Sequence, residues 1–287
     1  MEMLQLGPFA LNRELAGAFA ALAAGCAAAL AAVRRSPWKG TPLAGLLLDG
    51  VVIGLFVWKA LPAVRDPSVL WPNPLKALMV AGGAADAAVG LAAGLLFVLA
   101  GSLLRGVTLR ALADAAGRGA AAFLAVGGLA GGAKYGLATD LPWGVSLADP
   151  ALRYHPLHLY EALLGFILLA VAAAGRAQTG DGRTGARLVP LLGAGLLAVS
   201  LAAGGGRTWG PLTPVQWLAC ALAAAGIFLP RLYILWEAVQ ERRGWQLAKG
   251  DSKEQRRQAR KNERPSSPPP ERPGFDKRTD GPNRPAE

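Results

Sequence analysis

Apolar residues along this chain do not alternate with charge. They gather into runs of about 20 residues, close to the length a helix needs to cross bilayer hydrocarbon, with Arg and Lys concentrated in the segments between them. The pattern predicts spans at Leu15–Val33, Leu43–Leu61, Ala77–Ala100, Leu109–Leu129, Leu157–Ala174, Leu188–Ala203 and Pro214–Tyr233. The fourth is interrupted by Asp114 and Arg118, and the sixth runs out early at Gly204-Gly205-Gly206. The fold class expected is therefore an all-α, polytopic integral membrane protein with about seven transmembrane helices. Gly and Ala recur throughout the spans, and small residues let helix backbones approach closely where lipid offers no hydrophobic drive, so a tightly packed bundle is expected.

Charge sets the orientation and the domain boundary. Thirty Lys and Arg oppose 19 Asp and Glu, a formal net charge of +11. Arg34, Arg35 and Lys39 follow the first span, Arg105 and Arg110 the third, Arg176, Arg183 and Arg187 the fifth, and the densest cluster follows the seventh. The positive-inside bias places these loops in the cytoplasm, with the N-terminus outside and the C-terminus inside. From about Gly244 the composition turns to Lys, Arg, Glu, Gln, Ser and Pro, which divides the chain into a bundle, 1–243, and a basic Pro-rich cytoplasmic tail, 244–287, disordered beyond any helical extension. Ten basic residues lie in that tail beyond Gly250 rather than on a folded surface, which argues against nucleic acid as a partner. Cys26 and Cys220 both fall inside apolar runs and suggest neither a disulfide framework nor a metal site. The stretch ending at Cys26 reads as part of the first span rather than as a lipoprotein processing site, because the apolar run continues to Val33.

Ionisable side chains within spans need partners or a wet cavity, which singles out Asp49, Asp86, Asp114, Arg118 and Glu161. Asp114 and Arg118, one turn apart, read best as a structural pair, while Asp49 and Asp86 must look across the bundle, to Lys59 or Arg118. The richest segment runs from a loop into the fifth span: Thr139-Asp140-Leu141-Pro142-Trp143-Gly144, then Arg153-Tyr154-His155-Pro156-Leu157-His158-Leu159-Tyr160-Glu161. Pro156 suits the first turn of a helix, so His158 and Glu161 fall on one helical face, where they can share a proton. Imidazole is suited to general-base work near neutral pH, and Arg153 can neutralise a phosphate at headgroup depth. Trp143 reads as an interfacial belt residue.

This segment resembles the prolipoprotein diacylglyceryl transferases, polytopic enzymes of the bacterial inner membrane. Tyr135-Gly136 followed by Thr139 to Val145 is similar to a loop of that family, and His155-Pro156-x-x-Leu159-Tyr160-Glu161 is similar to its HP[ST]QLYE motif. Gly7-Pro8-Phe9, Asn73-Pro74-Leu75, Gly82-Gly83 and Leu212-Thr213-x-x-Gln216 extend the likeness over most of residues 7–233. The resemblance implies transfer of a diacylglyceryl group from phosphatidylglycerol to the lipobox cysteine of a prolipoprotein signal peptide, in the inner membrane, with no metal or cofactor. Such chemistry needs help in forming a thiolate and a cation for the departing phosphate.

The chain departs from the family at several positions. The glycine-arginine signature should fall near Leu124–Gly132, which reads LAVGGLAGG. Asp86 or Ala87 stands where an intramembrane His is expected, the aromatic pair expected near Asn12–Leu15 is absent, and Leu157 and His158 replace Ser/Thr and Gln. Arg207 falls at a late-helix Arg, and Lys59 is the candidate stand-in for another. The expected site is a cavity open to lipid beside a periplasmic region at 133–156. His155 or His158 is expected as base, with Tyr160 beside them. Arg153, Arg207, Lys134 and Lys59 are expected as phosphate contacts, and Asp140 and Glu161 as orienters. The alternative is a catalytically silent relative that binds lipid or lipoprotein precursor.

Overall fold

The computed structural model describes residues 3–6, 9–67, 82–147, 149–175, 178–204 and 210–262. Seven long helices stand among them: α1 (Arg13–Arg34), α2 (Leu43–Arg65), α3 (Ala84–Arg105), α4 (Leu109–Ala130), α5 (Leu157–Ala174), α6 (Arg183–Ala203) and α7 (Pro214–Asn262). Each coincides with an expected span to within a few residues, except that α3 begins later and α7 continues far beyond Tyr233. Six of the seven are long and apolar enough to cross a membrane, and the exception is α4. Many large side chains face outward, Val52 at 63%, Phe56 at 70% and Ile227 at 71% exposure, as befits helices whose solvent is lipid.

No strands were expected from the apolar pattern, yet two small sheets accompany the helices. β1 (Met3–Leu6) and β2 (Phe9–Asn12) form an antiparallel hairpin leading into α1. β3 (Tyr135–Ala138), β4 (Val145–Ser146) and β5 (Arg153–Pro156) form an antiparallel sheet in the order β3-β5-β4. The bundle unit is Met1–Gln240, and Glu241–Glu287 forms a second unit, described to Asn262 as helix. Gly7-Pro8, Asn73-Pro74-Leu75, Arg207 and the Pro-rich tail lie outside the described residues.

Close crossings of small residues hold the bundle. α4 lies at its centre, packed on α1, α5 and α6, and buries Ala111, Ala115, Gly117, Gly119, Ala121, Ala122, Ala125 and Gly128. α2 and α3 pack on each other, with Gly50 and Gly54 meeting Gly94 and Gly90 backbone to backbone, and join α1 and α4 through a core of Val33, Leu43, Leu46, Ala111 and Leu112. A Cβ at Gly90 or Gly94 would run into the carbonyl oxygen of Gly54 or Gly50.

The intramembrane carboxylates find partners other than those the sequence suggested. Asp86 pairs with Arg65 and Asp49 with Arg105 (3.6 Å), so the cations come from the far ends of α2 and α3 rather than from Lys59 or Arg118. Asp86 also accepts the Gly83 amide (2.9 Å), and Trp58 donates to the Gly82 carbonyl (2.8 Å), fastening the start of α3 to α2. Asp114 is fully buried and accepts three backbone amides, from Gly180 (2.8 Å), Gly182 (3.0 Å) and Gly185 (2.6 Å). Arg118 donates to Thr179 (2.9 Å) and Thr184 (3.0 Å). The two residues thus act structurally, as expected, but by drawing the α5–α6 loop into the bundle. α4 tolerates Asp114 and Arg118 because they face this loop instead of lipid, and Arg110 pairs with Glu237 of α7 (2.9 Å).

Candidate functional site

The approach to α5 is organised by strand pairing. Tyr135 of β3 pairs with Pro156 of β5, and the Leu157 amide donates to the Lys134 carbonyl (2.9 Å). Pro156, which has no amide hydrogen to offer, is the last residue of β5 and caps α5, so the helix begins at Leu157. This geometry sets Lys134 against the first turn of α5.

Lys134 gathers the chemistry there. Its Nζ bonds both oxygens of Glu161, at 2.9 and 3.3 Å, while His158 Nδ1 lies 3.2 Å from the Lys134 amide nitrogen and 3.1 Å from its carbonyl oxygen. One of these two backbone groups is the partner in either imidazole tautomer: the amide if Nδ1 is bare, the carbonyl if it carries the proton. The proton-sharing pair expected of His158 and Glu161 is therefore replaced by two separate links to Lys134. The Tyr135 ring meets the His158 ring edge to face at 5.8 Å, which fixes the imidazole from the side.

A second group stands beside the first. His155 Nδ1 is 2.9 Å from the Tyr160 hydroxyl, which also accepts a hydrogen bond from Trp143 Nε1 at 2.9 Å. Trp143, expected as an interfacial belt residue, thereby joins Tyr160 and His155 in one hydrogen-bonded group. Strand alternation puts Arg153 on the same face of β5 as His155. Arg153 and Asp140 are both exposed, and among the described residues Asp140 makes no hydrogen bond or ion pair through which to orient another group. Lys59 belongs to the α2–α3 pair, and Arg207 lies outside the described residues.

A cavity of about 460 Å³ opens between α1, α4 and the start of α5. Its polar lining is Lys134, Glu161 and Glu14, and its floor includes Gly127, Gly128 and Gly131. His155, His158, Tyr160 and Arg153 do not line it, which corrects the expectation that they would. Glu14, in the first turn of α1, escaped the sequence reading because nothing local distinguishes it from a helix flank. The glycines replacing the family's signature have a packing reason: a Cβ on Gly128 would collide with the backbone of His158 and Ala162, so α4 and α5 touch directly beneath the site. Among the described residues no group of three or more His, Cys, Asp or Glu gathers as a metal site.

Comparison with known proteins gives one partial match and no matching family model. The chain is 39% identical over 105 residues to phosphatidylglycerol–prolipoprotein diacylglyceryl transferase 1 of Streptomyces coelicolor. The match covers 33% of this chain and 31% of that enzyme. A relationship to such transferases and a multi-pass membrane architecture are what the match and the helices support together.

Proposed function

We propose that this protein transfers a diacylglyceryl group from phosphatidylglycerol to the thiol of a lipobox cysteine in a prolipoprotein at the bacterial inner membrane. The observation carrying this reading is the His155-Pro156-x-x-Leu159-Tyr160-Glu161 segment, folded as a strand-to-helix turn that brings Lys134 and Glu161 to a cavity between apolar helices. The partial likeness to the Streptomyces enzyme supports it.

In this reading the cysteine thiolate attacks the glyceryl carbon that bears the phosphate. The carbon–oxygen bond breaks, glycerol phosphate departs, and the thiol proton passes to a base. His158, tied to the cavity through Lys134 rather than lining it, serves as the base in this reading: with Nδ1 held on the Lys134 backbone, its Nε2 makes no hydrogen bond among the described residues. Lys134 stabilises the leaving phosphate, with Arg153 and Arg207 as further cations, and Glu161 holds the ammonium in place. His155, Tyr160 and Trp143 hold one another beside this turn.

Complementation tests the proposal: the full chain is expressed in a bacterium depleted of its own transferase, and lipoprotein mass is followed. Diacylglyceryl-modified lipoproteins are expected, and their loss in His158→Ala. Verified insertion without modification would reject the reading. That result would favour a silent lipid- or precursor-binding relative, a reading supported by the LAVGGLAGG segment, which carries no Arg.

A further inference from the structure

At the opposite end of α1 from Glu14 lies a second cavity, of about 430 Å³, between α1, α4, α5 and the α5–α6 loop. Glu14 and Arg35 bracket α1, so the two cavities are marked by charges about 30 Å apart by helical rise, close to the thickness of bilayer hydrocarbon. The polar lining is Arg35, Arg118, Gln178 and Thr179, and the rest is alanine of α1 and α5 with Leu169.

Its electrostatics favour an anion. Arg118 is half-buried and fixed by Thr179 and Thr184, so its guanidinium is already oriented. Arg35 is exposed at the rim, and among the described residues no carboxylate pairs with it. Asp114, one turn before Arg118 on α4, is committed to the amides of Gly180, Gly182 and Gly185. Two guanidiniums and an amide thus border an alanine-walled space that opens where headgroups lie, while the Thr179 hydroxyl donates to the Ala32 carbonyl (3.2 Å) and accepts from Arg118. Basic pockets between membrane helices are suited to phosphate-bearing headgroups, and guanidinium matches phosphate in two-pronged geometry.

We propose that this cavity binds a phosphate group at the membrane surface. An anionic phospholipid headgroup and free phosphate share that chemistry. The apolar walls suit a lipid, whose acyl chains would run along the alanines. This site is separate from the one assigned to transfer and does not depend on it.

The test titrates the purified full chain, in uncharged detergent, with dioleoyl phosphatidic acid or with inorganic phosphate, and follows bound adducts by native mass spectrometry. Arg35→Glu reverses the rim charge, and Ala172→Phe fills the space with both arginines kept. Phosphatidic acid adducts are expected on the native chain, with affinity falling about tenfold in Arg35→Glu, as loss of one to two surface charge contacts implies, and falling in Ala172→Phe because the ring occupies the space an acyl chain would take. If inorganic phosphate binds with the same dependence on both variants, the phosphate site stands with the soluble ion as its source. Failure of both probes to bind, or binding unchanged in both variants at unaltered melting temperature, overturns the proposal.

Discussion

Asp114 shows how one residue can organise a membrane bundle. A buried carboxylate that accepts three amides satisfies backbone groups that water would otherwise serve, and its removal leaves all three unpaired. Asp114→Ala is expected to cost at least about 3 kcal/mol and to lower the thermal midpoint in detergent markedly, with Asp114→Asn intermediate because an amide offers one acceptor oxygen. At the proposed transfer site, Lys134→Ala is expected to reduce lipoprotein modification on the order of a hundredfold, whereas Lys134→Arg retains part of it. Equal rates in Lys134→Ala and the native chain would remove Lys134 from the phosphate role. The sequence revealed His158 and Glu161 as neighbours on a helical face. It offered Lys134 as a cation but not its pairing with Glu161, 27 residues away, which comes about only through the pairing of β3 with β5.

At the scale of elements, the apolar runs located the helices because lipid imposes a length on each one. They said little about which helix meets which. Gly50, Gly54, Gly90 and Gly94 are each legible as small residues four apart, yet only the folded pair shows that they face one another. Gly94→Leu is expected to separate α2 from α3 and lower the melting temperature, by roughly the 1–3 kcal/mol that overpacking costs or more, while Gly45→Leu, where space is open, leaves it unchanged. Gly128→Ala presses on the backbone at His158 and Ala162. It is expected to impair modification more than stability, measured by lipoprotein mass beside thermal unfolding. The small sheets were illegible because β3, β4 and β5 are two to four residues long and lack sustained alternation.

For the whole molecule, the loop charges predict Lys134 and Glu161 outside and the tail inside. Single cysteines introduced at Ser146 and Ser252 of a Cys26→Ser, Cys220→Ser chain test this in intact cells. Ser146→Cys should react with an impermeant maleimide and Ser252→Cys should not, and the reverse pattern would invert the topology. The Asp114 contacts also bear on how the protein is made. α4 leaves the ribosome carrying Arg110, Asp114 and Arg118, yet Gly185, which answers Asp114, lies 71 residues later in the chain. At 5–20 residues per second, roughly 4–14 s pass before that partner exists. Each charge at a helix centre costs about 2.5–3.5 kcal/mol to insert unaided. For nearly all of that interval the Asp114 carboxylate has none of the three amides that answer it in the folded bundle.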